Sequence, residues 1–334
     1  MSRARTTWLS LATCLLTLSS AGMASDLYAQ PTPQRQDATQ AQQRDQQKAT
    51  ATAQASQDTA TAQLAKAEQE KKSTAFVRLV RDKNGTPASL DTAITTYVGK
   101  NKQGQEIRVD LLGAIHIGDK SYYQELSKRF KNYDALLYEL VAPRGARPGQ
   151  DQESMYGVIA RYLGLSDQLA NIDYSAENFV HADMSGDEFL KSMEERGESF
   201  IKMFFKAMGQ AMAQQQRLAA EGKSGPNDFD LIMAMLSGDK TKLKQVISPT
   251  FEDMEMSMAL FEGPEGSTII TERNQVALKV LQEQIDQGKT KLGIFYGAGH
   301  FRDMESRLMK DFNLKVEKQE WIKAWNMSSA TPGE

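Results

Sequence analysis

The sequence predicts an α/β fold: two related βαβ-like halves forming one mixed sheet domain, interrupted by a large, mostly helical insertion. Three observations predict it. Short runs rich in β-branched and aromatic residues alternate with stretches of helical spacing at both ends of the folded part. The heptapeptides GAIHIGD (113–119) and GAGHFRD (297–303) share Gly-Ala-x-His-x-x-Asp at equal spacing, each after a strand-like run and before a helix-like one. Between them, residues 151–261 read as one helix after another.

Residues 76–80 (FVRLV) are the first expected strand. Residues 92–98 and 107–115 are the next two, joined by a turn around Lys102, Gln103 and Gly104, and the second runs into the first heptapeptide. From Asp119 onward, Tyr122, Tyr123, Leu126 and Phe130 fall on one helical face. ALLYELV (135–141) is a further strand, ended by Pro143 and Gly145. In the insertion, Ser185, Gly186, Asp187 and Glu188 form a capping box that opens a helix, and residues 222–227 read as a loop. Methionine is dense there: Met193, Met203, Met208, Met212, Met233, Met235, Met254, Met256 and Met258. Such residues either pack helices together or form an adaptable apolar surface for a peptide or lipid-like ligand. After the insertion come a helix over 271–287, a strand over 291–296, a helix over 303–312 and a closing strand over 314–321.

Outside this folded part (74–327), composition changes. Arg3 and Arg5 precede an apolar run from Trp8 to Leu18, and Gly22, Met23 and Ala24 supply small residues for cleavage. Residues 1–24 therefore read as a signal peptide, with cleavage as late as residue 29, and the chain is expected to be exported. Residues 25–73, rich in Gln, Ala, Thr, Asp and Lys, bury too little apolar surface to offset their ordering entropy and read as a linker, as do residues 328–334 as a tail. The single cysteine, Cys14, lies in the apolar run, so the exported chain has no disulfide to rely on. Lipidation is not expected there, because Thr13 precedes the cysteine and Leu15 and Leu16 continue the apolar core. No later run is long and apolar enough to span a bilayer. With 40 basic and 43 acidic residues and no basic strip, nothing points to nucleic acid.

The two heptapeptides hold two of the three histidines in the chain. Both His116 and His300 follow a strand, where open α/β sheets bind ligands beyond their carboxyl ends. Two halves related by a pseudo-twofold axis would turn them toward one cleft. Asp119 and Asp303 are expected to cap the helices that follow. Glu139 interrupts an apolar strand, so burial requires a cation, a hydrogen-bond donor or a metal beside it. Arg273 lies on the apolar stripe of Val276, Ala277, Val280, Leu281 and Ile285, one turn upstream, and is expected to point into the site as a fixed cation. Glu272 is a possible base, although the helix dipole alone favours a glutamate in a first turn. His181 precedes a helix cap without a counterpart in the repeat and is read as structural or at the rim.

At these residues the chain resembles the TraB/GumN family, which includes the Tiki proteases. The carriers are GAIH (113–116), YEL (138–140), TERN (271–274) and GAGH (297–300), in that order. The resemblance implies paired Gly-x-x-His motifs at a site between two related halves. It also implies a divalent metal, manganese or cobalt by family and zinc as an alternative, with His116, Glu139 and His300 as ligands and Arg273 as a site residue. The C-terminal membrane helix of membrane-bound relatives has no counterpart here.

The first functional expectation is thus a metal-dependent hydrolase, acting on peptides through a metal-activated water, with Glu139 or Glu272 as base and Arg273 as oxyanion partner. The alternative is a non-catalytic protein that sequesters a peptide or small apolar ligand, favoured by the methionines and the absence of HExxH and Gly-x-Ser-x-Gly sequences. Haem or iron binding through the histidines is a third and weaker reading. The linker makes a direct prediction. A chain beginning at Thr74 should melt at the same temperature as the exported form in a calorimetric scan, and a large drop would show that residues 30–73 pack on the domain.

Overall fold

The computed structural model describes residues 75–148, 155–199, 228–261 and 266–328, with isolated positions between 200 and 227. The expectations for residues 1–24 and 25–73, the loop at 222–227, the tail beyond 328, and Met203, Met208 and Met212 lie outside the described residues.

The described residues open with β1 (Val77–Arg81), β2 (Pro87–Lys100) and β3 (Glu106–Ala114), three strands joined by tight turns. In each turn a side-chain carbonyl closes the loop. Asp82 Oδ1 accepts from the N–H groups of Asn84 and Thr86, and Asn101 Oδ1 from those of Gln103 and Gln105. A two-residue strand β4 (Ile117–Gly118) leads into α1 (Lys120–Phe130), which buries the expected Tyr122, Tyr123, Leu126 and Phe130, and then comes β5 (Ala135–Tyr138). The insertion supplies α2 (Met155–Leu163), β6 (Ser166–Asp167), α3 (Gln168–Asn171), β7 (Phe179–His181), α4 (Gly186–Glu195), α5 (Asp228–Ser237) and α6 (Lys240–Phe261). Ser185 and Glu188 form both bonds of the capping box at α4. A π-helical turn (Thr268–Glu272) precedes α7 (Arg273–Asp286), followed by β8 (Lys291–Gly297), a 3-10 turn (Ala298–His300), α8 (Phe301–Lys310) and β9 (Lys315–Asn326).

Strands β1, β2, β3, β5, β7, β8 and β9 form one seven-stranded mixed sheet, and β4 and β6 pair separately. Strands β3, β8, β5 and β7 are parallel neighbours in that order, and β2 lies antiparallel beside β3. The 14 residues of β2 pair with β1 over one half and with β3 over the other, while β9 runs antiparallel along most of its length. The repeat seen in the sequence is thus a pair of crossovers. One leaves β3, passes through α1 and enters β5; the other leaves the adjacent β8, passes through α8 and enters β9. Side chains alternate to two cores. Leu112, Leu136, Tyr138 and Phe295 pack with α1, α2 and α6 on one face. Leu111, Leu137, Ile294 and Tyr296 pack with α7 and α8 on the other. Adjacent parallel strands that send their crossovers to opposite faces define a switch point, where a crevice opens beyond the carboxyl ends.

Two details amend the expectations. The insertion is not only helical, because its β7 joins the main sheet beside β5. Asp119 and Asp303 do not cap their helices through their side chains. Asp119 accepts instead from the N–H of Asn326, and Asp303 lies inside the first turn of α8 and accepts from Asn274 and Arg307.

Gly293 in β8 leaves room for the first core. A Cβ there would lie 2.6 Å from Leu136 Cδ1 and 3.1 Å from Leu112 Cδ1. Gly293→Val should therefore cost about 1–3 kcal/mol through overpacking, read as a lower urea midpoint at unchanged slope. An unchanged midpoint would show that Leu136 gives way freely.

Candidate functional site

The carboxyl ends of β3, β8, β5 and β7 lie together, as the register shows: Ala114 pairs with Gly297, and Tyr138 with both Phe295 and His181. The residues that follow these ends are His116, His300, Glu139 and Asp183. From the first turn of α7 come Arg273 and Asn274, both buried.

Arg273 is the hub. Its Nε donates to Asp183 Oδ1 at 2.9 Å and its Nη2 to Asp183 Oδ2 at 2.6 Å, a two-point pairing of planar fork and carboxylate. The same Nη2 donates to Glu139 Oε1 at 2.7 Å. Nη1 faces His300 Nε2 at 3.5 Å. Burial works against the charge of Arg273, but the hydrogen bonds to Asp183 and the two facing carboxylates outweigh it and raise the guanidinium above its usual pKa.

His300 is 3% exposed and fixed from its other nitrogen. Asn274 Nδ2 donates to His300 O at 3.0 Å and to Asp303 Oδ2 at 2.8 Å, which sets the amide orientation. Asn274 Oδ1 then faces His300 Nδ1 at 2.7 Å, and an acceptor there requires the proton on Nδ1. In the neutral ring, Nε2 keeps its lone pair and turns it toward Arg273 and Glu139, 3.6 Å from Oε1.

Glu139 Oε2 accepts from the N–H of Gly297, at the strand end that carries the second heptapeptide, at 2.8 Å. Burial alone would raise its carboxyl. His300 when its ring is protonated, the Arg273 guanidinium and the Gly297 N–H together hold it well below the usual carboxylate range. Tyr296 completes the floor. Burial, then Asp183 and Glu139, push its hydroxyl well above its ordinary pKa, so it stays a neutral donor to Ala182 O.

The expected residues divide clearly. Glu139, Arg273 and His300 converge. His116 ends up exposed, its carbonyl accepting from Gln168 N at 2.9 Å as β4 turns toward β6. Glu272 points away and binds Arg196 at 3.1 Å. His181 closes β7 by bonding Leu140 O at 2.6 Å, a structural role. Two residues of the cluster were given no role by the sequence reading. Asn274 stands inside TERN. Asp183 follows a three-residue strand too short for any periodicity.

A divalent cation does not fit the residues as arranged. Among the described residues no three His, Cys, Asp or Glu side chains gather as ligands. Glu139 and His300 offer two donors, and the space beside both is held by the positive Arg273 fork. A cavity of about 400 Å³ lined by Arg108, Arg129, Lys291 and Lys318 opens at the opposite, amino-terminal ends of the strands. Its Asp110 and Glu320 are taken up by these cations.

No family model, characterised protein or solved structure matches the chain. Among the described residues no helix is long and apolar enough to cross a membrane.

The depressed Glu139 carboxyl predicts how stability follows pH. At neutral pH the folded and unfolded chains both hold Glu139 ionised, and its pairing is fully stabilising. As pH falls through about 4, the unfolded carboxyl takes up a proton first. The stabilisation then disappears as pH approaches the lower folded value. The stability gap between the natural chain and Glu139→Gln, from urea titrations, should be flat above about pH 5 and narrow below it. A gap that widens in acid would contradict the assignment.

Proposed function

We propose that the chain is an exported hydrolase of peptide bonds, working at the cluster of Glu139, Asp183, Arg273 and His300. The observation that carries this reading is a carboxylate, an imidazole with a fixed tautomer and a guanidinium meeting within 3.6 Å of one another at a sheet switch point. The side chain of Glu139 is 24% exposed, against 9% or less for Arg273, Asp183 and His300, so Glu139 is the member that meets substrate. Glu139 orients an attacking water, and His300 Nε2, 3.6 Å from Glu139 Oε1, takes the proton of that water and passes it to the leaving amine. Arg273 Nη1, which among the described residues makes only the long contact to His300, supplies N–H groups to a developing oxyanion. The peptide class is supported by the TraB/GumN resemblance. This reading keeps the expected hydrolysis and assigns no step to a metal.

The sequestering alternative has its own support. Large apolar side chains stand exposed on α2 (Val158, Ile159, Tyr162) and on α5 (Ile232, Met233, Met235, Leu236). Such clustering marks interaction surfaces.

One experiment separates the two. Cleavage of a peptide library is followed with chelator and with added manganese, cobalt or zinc, beside a direct binding measurement. The natural chain should cut in the presence of chelator, and Glu139→Gln and His300→Ala should each lose about 100-fold or more in kcat. Arg273→Lys should bind peptide and lose turnover, because an ammonium cannot hold Asp183 and Glu139 in one plane. A protein that cuts nothing yet binds peptide as tightly as all three variants would leave the sequestering reading standing. Cleavage abolished by chelator and restored by one metal would return the metal to the mechanism.

A further inference from the structure

The π-helical turn at Thr268–Glu272 is the least regular backbone near the site, and it delivers Arg273 and Asn274. π-turns persist in proteins mainly where function holds them. Local bonds account for part of its geometry. Ser267 Oγ accepts from Ile270 N, Ser267 O accepts from Glu272 N, and Gly266 has φ +80°, where a Cβ would strike the Thr271 side chain.

The rest comes from the far end of α4, some 70 residues earlier. Arg196 follows that helix and spreads its guanidinium over the turn. Nη2 donates to Gly266 O at 2.7 Å, and Nη1 to Glu272 Oε1 at 3.1 Å. Nε donates to Glu198 Oε1 at 3.1 Å, and the Glu198 carboxylate accepts in turn from Thr268 N at 3.1 Å. Ser192 Oγ meets Thr268 Oγ1 at 2.9 Å. The approach to the π-turn at Gly266 and its last residue, Glu272, are thus held by one side chain of the insertion, and its first residue, Thr268, by that side chain's own carboxylate partner. The side chains of Arg196, Glu198 and Glu272 are 19–28% exposed, so these bonds are partly shielded from water.

We infer that Arg196 is a positioning residue for the site: it fixes the π-turn so that Arg273 meets Asp183 and Glu139 while Asn274 meets His300. The inference rests on the proposed hydrolase only for its kinetic consequence; its structural consequence is independent of activity. The insertion then contributes twice, with Asp183 touching Arg273 directly and Arg196 aiming it. Glu272 acts as an anchor rather than a base.

The test reads the imidazole itself. The chain has three histidines, so the ring nitrogens of His300 can be assigned by ¹⁵N spectroscopy with His300→Ala as reference. In the natural protein the His300 signals should show the proton on Nδ1. Arg196→Ala should release Asn274 and give a mixture of tautomers, with kcat lowered about 10-fold or more and KM little changed, because small misplacements of reacting groups act on turnover. Glu272→Gln, which keeps the shape and weakens one anchor, should move the same signals less, and it serves if Arg196→Ala fails to fold. Ser185→Ala weakens α4 at its opposite end and should lower the melting temperature without moving the His300 signals. Variants at Arg196 and Glu272 that melt lower but leave the His300 tautomer unchanged would overturn the inference and make Arg196 a structural residue only. If the natural protein cuts nothing, the hydrolase reading fails while the ¹⁵N result still decides the positioning role.

Discussion

A guanidinium that is 8% exposed has to be answered by negative charge, and that requirement organises this molecule. Arg273 is answered twice, by Asp183 beyond β7 and by Glu139 beyond β5. The two carboxylates sit on neighbouring parallel strands, and the arginine reaches them from a helix on one face of the sheet. None of the three groups is tolerable in this position alone. Removing one partner from such a buried pair typically costs about 3–5 kcal/mol, because the other charge stays behind without compensation. The strand order β8, β5, β7 and the entry angle of α7 are therefore coupled through one side chain.

The duplicated heptapeptide shows how one local sequence can meet two ends. In the first copy the glycine and alanine finish β3, whereas in the second the glycine finishes β8 beside Ala114 and Ala298 already opens the next turn. After the first copy, Ile115 and Ile117 flank the histidine, and the chain stays extended into β4, which pairs with β6 of the insertion. His116 is carried outward. In the second copy the chain enters a tight 3-10 turn that runs directly into α8, and His300 is folded inward against Asn274. The pseudo-symmetry of the crossovers survives, while the symmetry of the two imidazoles does not.

Much of this was legible in the sequence. Runs rich in β-branched and aromatic residues located β1, β3, β5 and β8, helical spacing located α1, and the box of Ser185 and Glu188 located the start of α4. Glu139 and Arg273 announced themselves as charges on apolar stripes, and they do meet. What escaped was whatever depends on distant segments. β7 is three residues long and exists because β5 offers it an edge. Asp183 gains its role only once that edge is filled. Glu272 looked like a site residue because it adjoins Arg273, but a π-turn rotates neighbours differently from an α-helix, and its carboxylate leaves toward Arg196. β2 and β9 also ran longer than their own patterns indicated, since each lends the other its ladder.

That mutual ladder has a consequence for how the chain comes to its native state. One edge of β2 is occupied by β1 and β3, which follow each other closely in sequence and can pair as soon as they are made. The other edge is reserved for β9, so its pairing is among the most non-local in the molecule. Until residues 315–326 arrive, β2 presents an open, apolar template to any other strand. Completion of the sheet is thereby tied to a strand more than 200 residues further along the sequence. The switch point between β3 and β8 likewise waits on β8. The cluster at the strand ends can form only when both distant parts of the fold have been made.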